Sequence, residues 1–252
     1  YLRSVTRGPE TPNPEVVGFS DLHALARDLP YVDAINIFIL PVLHLLLYNT
    51  LKPFLTLILT KGPIKDAAGR PIPQPFYVVS DQNKREMVKR TNAIRTTWHY
   101  KSRVLDVVNY LGSAKLETLS DWILSFSEFV TADLVHPRVT EALNLLRPVV
   151  KHYLYARNST KADKEAAYTR LLQFLALLED NFPQSLLRQA VHRGACQLLT
   201  QELLHGESAR YSEAYLERQM YTFKESQAGR GTHEPAQVSV NRELGKRAMT
   251  RF

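Results

Sequence analysis

The chain has little of what cross-linking and common catalytic designs draw on. A single cysteine, Cys196, stands in 252 residues. That excludes an internal disulfide framework and any cysteine-rich zinc or iron–sulfur centre, and it fits a reducing compartment. Glycine is sparse, at 10 residues, and nowhere takes the spacing of a phosphate-binding loop. Paired-histidine zinc motifs, a Gly-x-Ser-x-Gly elbow and Cys-x-x-Cys are missing as well. No cationic stretch followed by an apolar run and a small-residue cleavage site opens the chain, so no secretory signal is expected. These absences predict a non-enzymatic protein with no cofactor and no metal.

With 44% hydrophobic residues, the chain carries enough apolar surface for a sizeable core. Its organisation reads in three parts. Residues 1–18 hold Pro9, Pro12 and Pro14 with Gly8 and Gly18, which oppose a regular helix and predict an N-terminal arm. Residues 19–223 read as one helical core domain, starting with a short helix that Ser20 caps. Residues 224–252 offer only Val238, Val240, Leu244, Met249 and Phe252 as large apolar groups. A segment of that composition cannot build a core alone and is expected to act as a C-terminal arm between subunits.

The fold class this predicts is all-α, with a proline-rich loop or small hairpin over 62–80. No charged residue occurs from Ala34 to Leu51, and the apolar run resumes from Phe54 to Leu59. Its length approaches a membrane span, but Asn36, Pro41, His44, Asn49 and Pro53 would each need help in hydrocarbon. A helix pair at the centre of the core is the expectation; a protein embedding residues 34–60 in a membrane is the competing one. Helix starts are expected at Ser80 or Asp81, at Thr118 with Asp121, at Pro137, at Thr160 with Asp163, and at Pro183, with Gly206 closing the last. Tyr168, Leu171, Leu172, Leu175 and Leu178 make one apolar stripe. Val139, Ala142, Leu146, Val149 and Tyr153 make another, which Pro148 is expected to kink or break.

Positive charge is concentrated. From Asp81 to Arg103 there are seven cations, Lys84, Arg85, Lys89, Arg90, Arg95, Lys101 and Arg103, against Asp81 and Glu86, giving +5 of the chain's net +7. On one continuous helix, Met87, Ile94, Trp98 and Leu105 would fall within about 40° of each other, leaving the cations on the broad remaining face. Such a face can neutralise phosphates, and Trp98 and Tyr100 beside it can stack on unpaired bases. The predicted nucleic-acid-binding residues are therefore Lys84, Arg85, Lys89, Arg90, Arg95, Trp98, Tyr100, Lys101 and Arg103. An acidic protein partner or a merely solvated face are the alternatives.

Other constellations are weaker. His192 and Cys196, four apart, would share a helix face as a thiol–imidazole pair, but a buried structural thiol is the expectation. Glu179 with Asp180, and Glu202 with Glu207, read as capping and solubilising carboxylates. His136, His152, His205 and His233 show no ligand spacing. Asn158-Ser159-Thr160 matches a glycosylation acceptor, with a helix cap as the better reading. In general plan, though in no motif, the chain is similar to helical coat and nucleocapsid subunits of RNA viruses. It is expected to be a capsid-like structural protein that assembles with copies of itself through its arms and contacts nucleic acid, RNA in particular. A membrane partner is not expected, and the location would be the virion or the cytoplasm. A subunit of a large organellar or ribonucleoprotein complex is the alternative.

Overall fold

The computed structural model of the chain describes residues 40–60, 74–96 and 104–210. The chain divides into two units at Leu40/Pro41, and every element below belongs to the second. The expected arms at 1–18 and 224–252, and the helix from Ser20, lie outside the described residues. Among the described residues every regular element is helical and none is a strand, so the fold is all-α.

Helix α1 is already helical at Val42 and Leu43, continues as a π-helix, His44–Leu51, and runs directly into an α-helical part, Lys52–Ile58. Among the described residues the helix runs unbroken through Lys52 and Pro53, where a division into a pair was expected, and Pro53 falls in the first turn of the α-helical part. The Lys52 N–H reaches back five residues to the Leu47 carbonyl. In that register the carbonyl that Pro53 cannot serve belongs to Tyr48, an exposed residue. Leu46, Leu47, Leu51, Phe54, Leu55 and Ile58 are buried, which places the described part of the apolar run in the core. Among the described residues no helix is long and apolar enough to cross a membrane.

Helix α2 spans Asp81–Ala93, and a short helix α3, Val107–Tyr110, is followed by a 3-10 turn, Leu111–Ser113. Helix α4 joins Leu116–Asp121, a π-helical Trp122–Phe126 and Ser127–Thr131. It starts two residues before Thr118, whose hydroxyl donates back to the Lys115 carbonyl at 2.8 Å instead of capping. Then come α5 (Pro137–Tyr155), α6 (Lys161–Asn181), a 3-10 turn (Gln184–Leu186) and α7 (Gln189–His205), with Ser208–Arg210 as a last 3-10 turn. Pro183 precedes only the 3-10 turn, while Gly206 closes α7 at φ 85°, a conformation glycine adopts without cost. Within 74–80 the chain turns without pairing as a hairpin, although the Val79 N–H donates to the Ile58 carbonyl at 2.9 Å.

Core helix α1 packs against the first part of α4 and against α7; α5 packs on α6 and on the π-helical part of α4, and α6 on α7. Gly194 lets α7 approach α1 closely, since a β-carbon there would stand 2.9 Å from Leu45 Cδ2. The α5 stripe of Val139, Ala142, Leu146, Val149 and Tyr153 is wholly buried. Pro148 does not break that helix, because the Asn144 carbonyl it leaves unserved sits on an exposed residue. On α6 the buried face is Ala167, Leu171, Phe174, Leu177 and Leu178, with Leu172 exposed. The predicted stripe is therefore rotated: Phe174 turns inward to meet Phe54 edge-on at 6.4 Å between centroids. A capping box at Thr160 and Asp163 starts α6 as predicted.

Candidate nucleic-acid interface

Ser80 starts α2 by accepting the Asn83 N–H at 3.2 Å. The helix then sorts its charges by position. Lys84, Met87 and Thr91 recur at i, i+3 and i+7 and are buried on the inner face. The Lys84 side chain is only 7% exposed; its Nζ donates to the Thr60 carbonyl at 2.8 Å and to Asp81 Oδ1 at 3.1 Å. Arg90, partly enclosed, donates to the carbonyls of Ala132 at 2.6 Å and Phe129 at 3.3 Å, closing the end of α4. Its Nε also lies 3.5 Å from Glu86. These two cations dock α2 on the core.

Arg85 and Lys89 occupy the opposite crest and are exposed, and Arg95, also exposed, follows the helix end. Lys89 pairs with Glu86 at 3.6 Å, a one-turn surface contact of small energetic weight. Neither Arg85 nor Arg95 makes an ion pair or a hydrogen bond among the described residues. Exposed cations without a competing anion retain their full capacity for a phosphate.

The helix stops short of the sequence expectation. Ala93 is its last residue and Ile94 has ψ 123°, so the stripe from Met87 to Leu105 is not one helical face. The cause is local: Ile94, Thr96 and Thr97 are β-branched and lose rotamer freedom in a helix. Trp98, Tyr100, Lys101 and Arg103 lie outside the described residues. Leu105 is half-buried in the extended segment before α3, whose first amides are accepted by Asp106.

The remaining candidates fall into structural positions. Cys196 is exposed, against the expectation of a buried thiol, and its Sγ stands 3.5 Å from His192 Nε2, also exposed. Burial raises the pKa of the neighbouring Tyr168, and the adjacent Cys196 adds to that shift; its hydroxyl donates to the Ala195 carbonyl. Glu207 accepts the Ser159 N–H at 2.8 Å, which holds its carboxyl below the usual range with Arg210 assisting. Glu179 and Asp180 are exposed at the end of α6. Asn158 accepts from Arg210 at 3.1 Å, and Thr160 is occupied by its capping box. His136 Nδ1 accepts the Arg138 N–H at 3.2 Å and so caps α5. No group of three or more metal-binding side chains occurs among the described residues.

One polar contact had no signature in the sequence. His152 Nε2 meets both oxygens of Glu202 at 3.1 Å, with the carboxylate side chain 0% exposed. It ties α5 to α7, and Lys164 adds a hydrogen bond from α6 to the Glu202 carbonyl at 3.3 Å. The partners are 50 residues apart, so no spacing rule could join them. The chain matches no protein-family model, no curated protein and no solved structure.

Proposed function

We propose that the protein is a non-enzymatic structural subunit that contacts nucleic acid through the outer crest of α2 and the basic segment after it. In this reading it assembles with copies of itself through its terminal arms, in the manner of a capsid or nucleocapsid subunit. The observation that carries the reading is the division of charge on α2. Lys84 and Arg90 are consumed in docking the helix, whereas Arg85, Lys89 and Arg95 are presented to solvent. A solvated helix gains little from like charges gathered on its outer side, where Lys89 alone has an anion partner, the weak one-turn contact with Glu86; a polyanion neutralised there releases counterions and binds. The sequence continues the same charge through Lys101 and Arg103.

The test is titration of a labelled single-stranded RNA with the wild type and with Arg85→Glu, Lys89→Glu and Arg95→Glu combined. Affinity should fall similarly across sequences, and the slope of log affinity against log salt should shrink by roughly 0.7 per lost contact. Size exclusion with absorbance at 260 and 280 nm reports assembly and bound nucleic acid together. A folded triple variant with unchanged affinity and slope would refute the assignment of the binding face to α2.

A further inference from the structure

Four residues before the cap of α2, a phenyl ring stands where burial is its usual fate. Phe76 is 46% exposed, and its ring lies 4.6 Å from that of the exposed His136, tilted by 56°. Both rings are fixed from behind. Phe76 rests on Tyr77 at 5.4 Å and on the buried Phe182 at 5.9 Å, and Phe182 in turn meets Phe54 of α1 at 5.3 Å. His136 is held by its capping bond to α5. Asn83 donates to the Leu134 carbonyl at 2.7 Å, which pins the first turn of α2 to the loop that carries His136.

The pair is thus an aromatic surface, backed by Tyr77 and Phe182, attached to the same helix start that presents Arg85 and Lys89. From Phe76 the chain takes four steps through the turn to Ser80 and five along the helix to Arg85, a reach of at most about 22 Å. Exposed Asp81 and Asp133 lie by the helix start and in the His136 loop; they repel phosphate there and leave the cationic crest as the place for a backbone. Charge and ring chemistry then fit one occupant. We propose that Phe76 and His136 form a stacking platform for an unpaired base of a single strand whose phosphates lie along Arg85 and Lys89. This inference rests on the function proposed above.

The experiment compares two probes of equal length and charge, an oligo-uridine and an abasic oligomer that keeps the phosphates and lacks the bases. Stacking on one aromatic side chain is lost on truncation at a cost of about 5- to 140-fold in affinity. Phe76→Ala should therefore weaken uridine binding by that factor and leave abasic binding and both salt slopes unchanged, with the helical fold retained by circular dichroism although the lost ring contacts lower its melting temperature. Phe76→Trp should restore uridine binding. Photocrosslinking of a 5-iodouridine strand to the wild type should place the adduct on the peptide containing Phe76 or on that containing His136, whatever the fate of the Ala variant. Equal losses on both probes, no loss on either, or adducts confined elsewhere would overturn the platform while leaving phosphate binding intact. Wild type that binds neither probe, the outcome expected if the rings serve a protein partner, would overturn both readings.

Discussion

Lys84 and Arg85 are neighbours in one basic run, yet they should respond to substitution in opposite ways. Lys84→Met keeps most of the buried stem and removes the ammonium. It deletes the 2.8 Å bond to the Thr60 carbonyl and the 3.1 Å contact with Asp81. Hydrogen bonds from a charged donor contribute about 1.5–3 kcal/mol each. The pair with Asp81, whose side chain is 81% exposed, adds about 0–1 kcal/mol. Part of this returns because the methionine side chain suits an apolar site, so a net loss of about 2 kcal/mol is expected. Lys84→Ala should cost more, by about 0.8 kcal/mol for each buried methylene removed. For a chain of this size about 2 kcal/mol corresponds to roughly 4–8 °C in melting temperature.

Arg85→Met removes an exposed charge and should stay within about 0.5 kcal/mol of the wild type. Circular dichroism melts and urea titrations at low and high salt make the comparison. Because the Lys84 side chain is buried and its bond to the Thr60 carbonyl involves no second charge, most of its deficit should persist at roughly 0.5 M salt, where exposed charges are screened. Nucleic-acid binding should reverse the order, with the Arg85 variant losing salt slope and the Lys84 variant keeping it. If Lys84→Met melted within about a degree of Arg85→Met, the docking role assigned to Lys84 would be wrong.

Leu46 is 1% exposed at the centre of the core, and Leu46→Ala should destabilise by about 2–5 kcal/mol in a urea titration. Gly194→Leu should cost about 1–3 kcal/mol because its side chain must displace Leu45, whereas Gly194→Ala meets only the flexible end of that leucine and gains helix propensity. The Glu207 carboxyl is lowered chiefly by the Ser159 amide, so its contribution is present above the ordinary carboxylate range and lost as pH falls through the depressed folded value. A melting profile from neutral to acid pH should accordingly be less steep for Glu207→Gln than for the wild type.

The legible parts of this fold are those where local chemistry and packing agree. The α5 stripe was readable because its apolar residues recur on a single face, and the capping box at Thr160 because both partners lie within one turn. On α6, leucines at 171, 172, 175, 177 and 178 make an apolar arc wider than the face that is buried. Which part turns inward is decided by Phe54 on another helix. The end of α2 was hidden for the reverse reason: apolar spacing can persist past Ala93 in a chain that has ceased to be helical, and only the β-branched residues after it announce the stop. Lys84 was in principle readable, since it shares the i, i+3, i+7 row of Met87 and Thr91. A lysine on that row should be read as an inward donor before it is counted as a ligand-binding charge.

That correction changes how the net charge of the segment bears on function. Four cations lie on α2, but two end on backbone carbonyls of Thr60, Phe129 and Ala132. An approaching polyanion meets Arg85, Lys89 and Arg95. At about 0.7 per phosphate contact on a single strand, these three set a ceiling near 2 on the salt slope they can produce. A wild-type slope well above that value requires further cations, and Lys101 and Arg103, in the same basic run, are the first to test. A slope at or below it would be accounted for by Arg85, Lys89 and Arg95 alone, and charge reversal at Lys101 and Arg103 should then leave both affinity and slope unchanged.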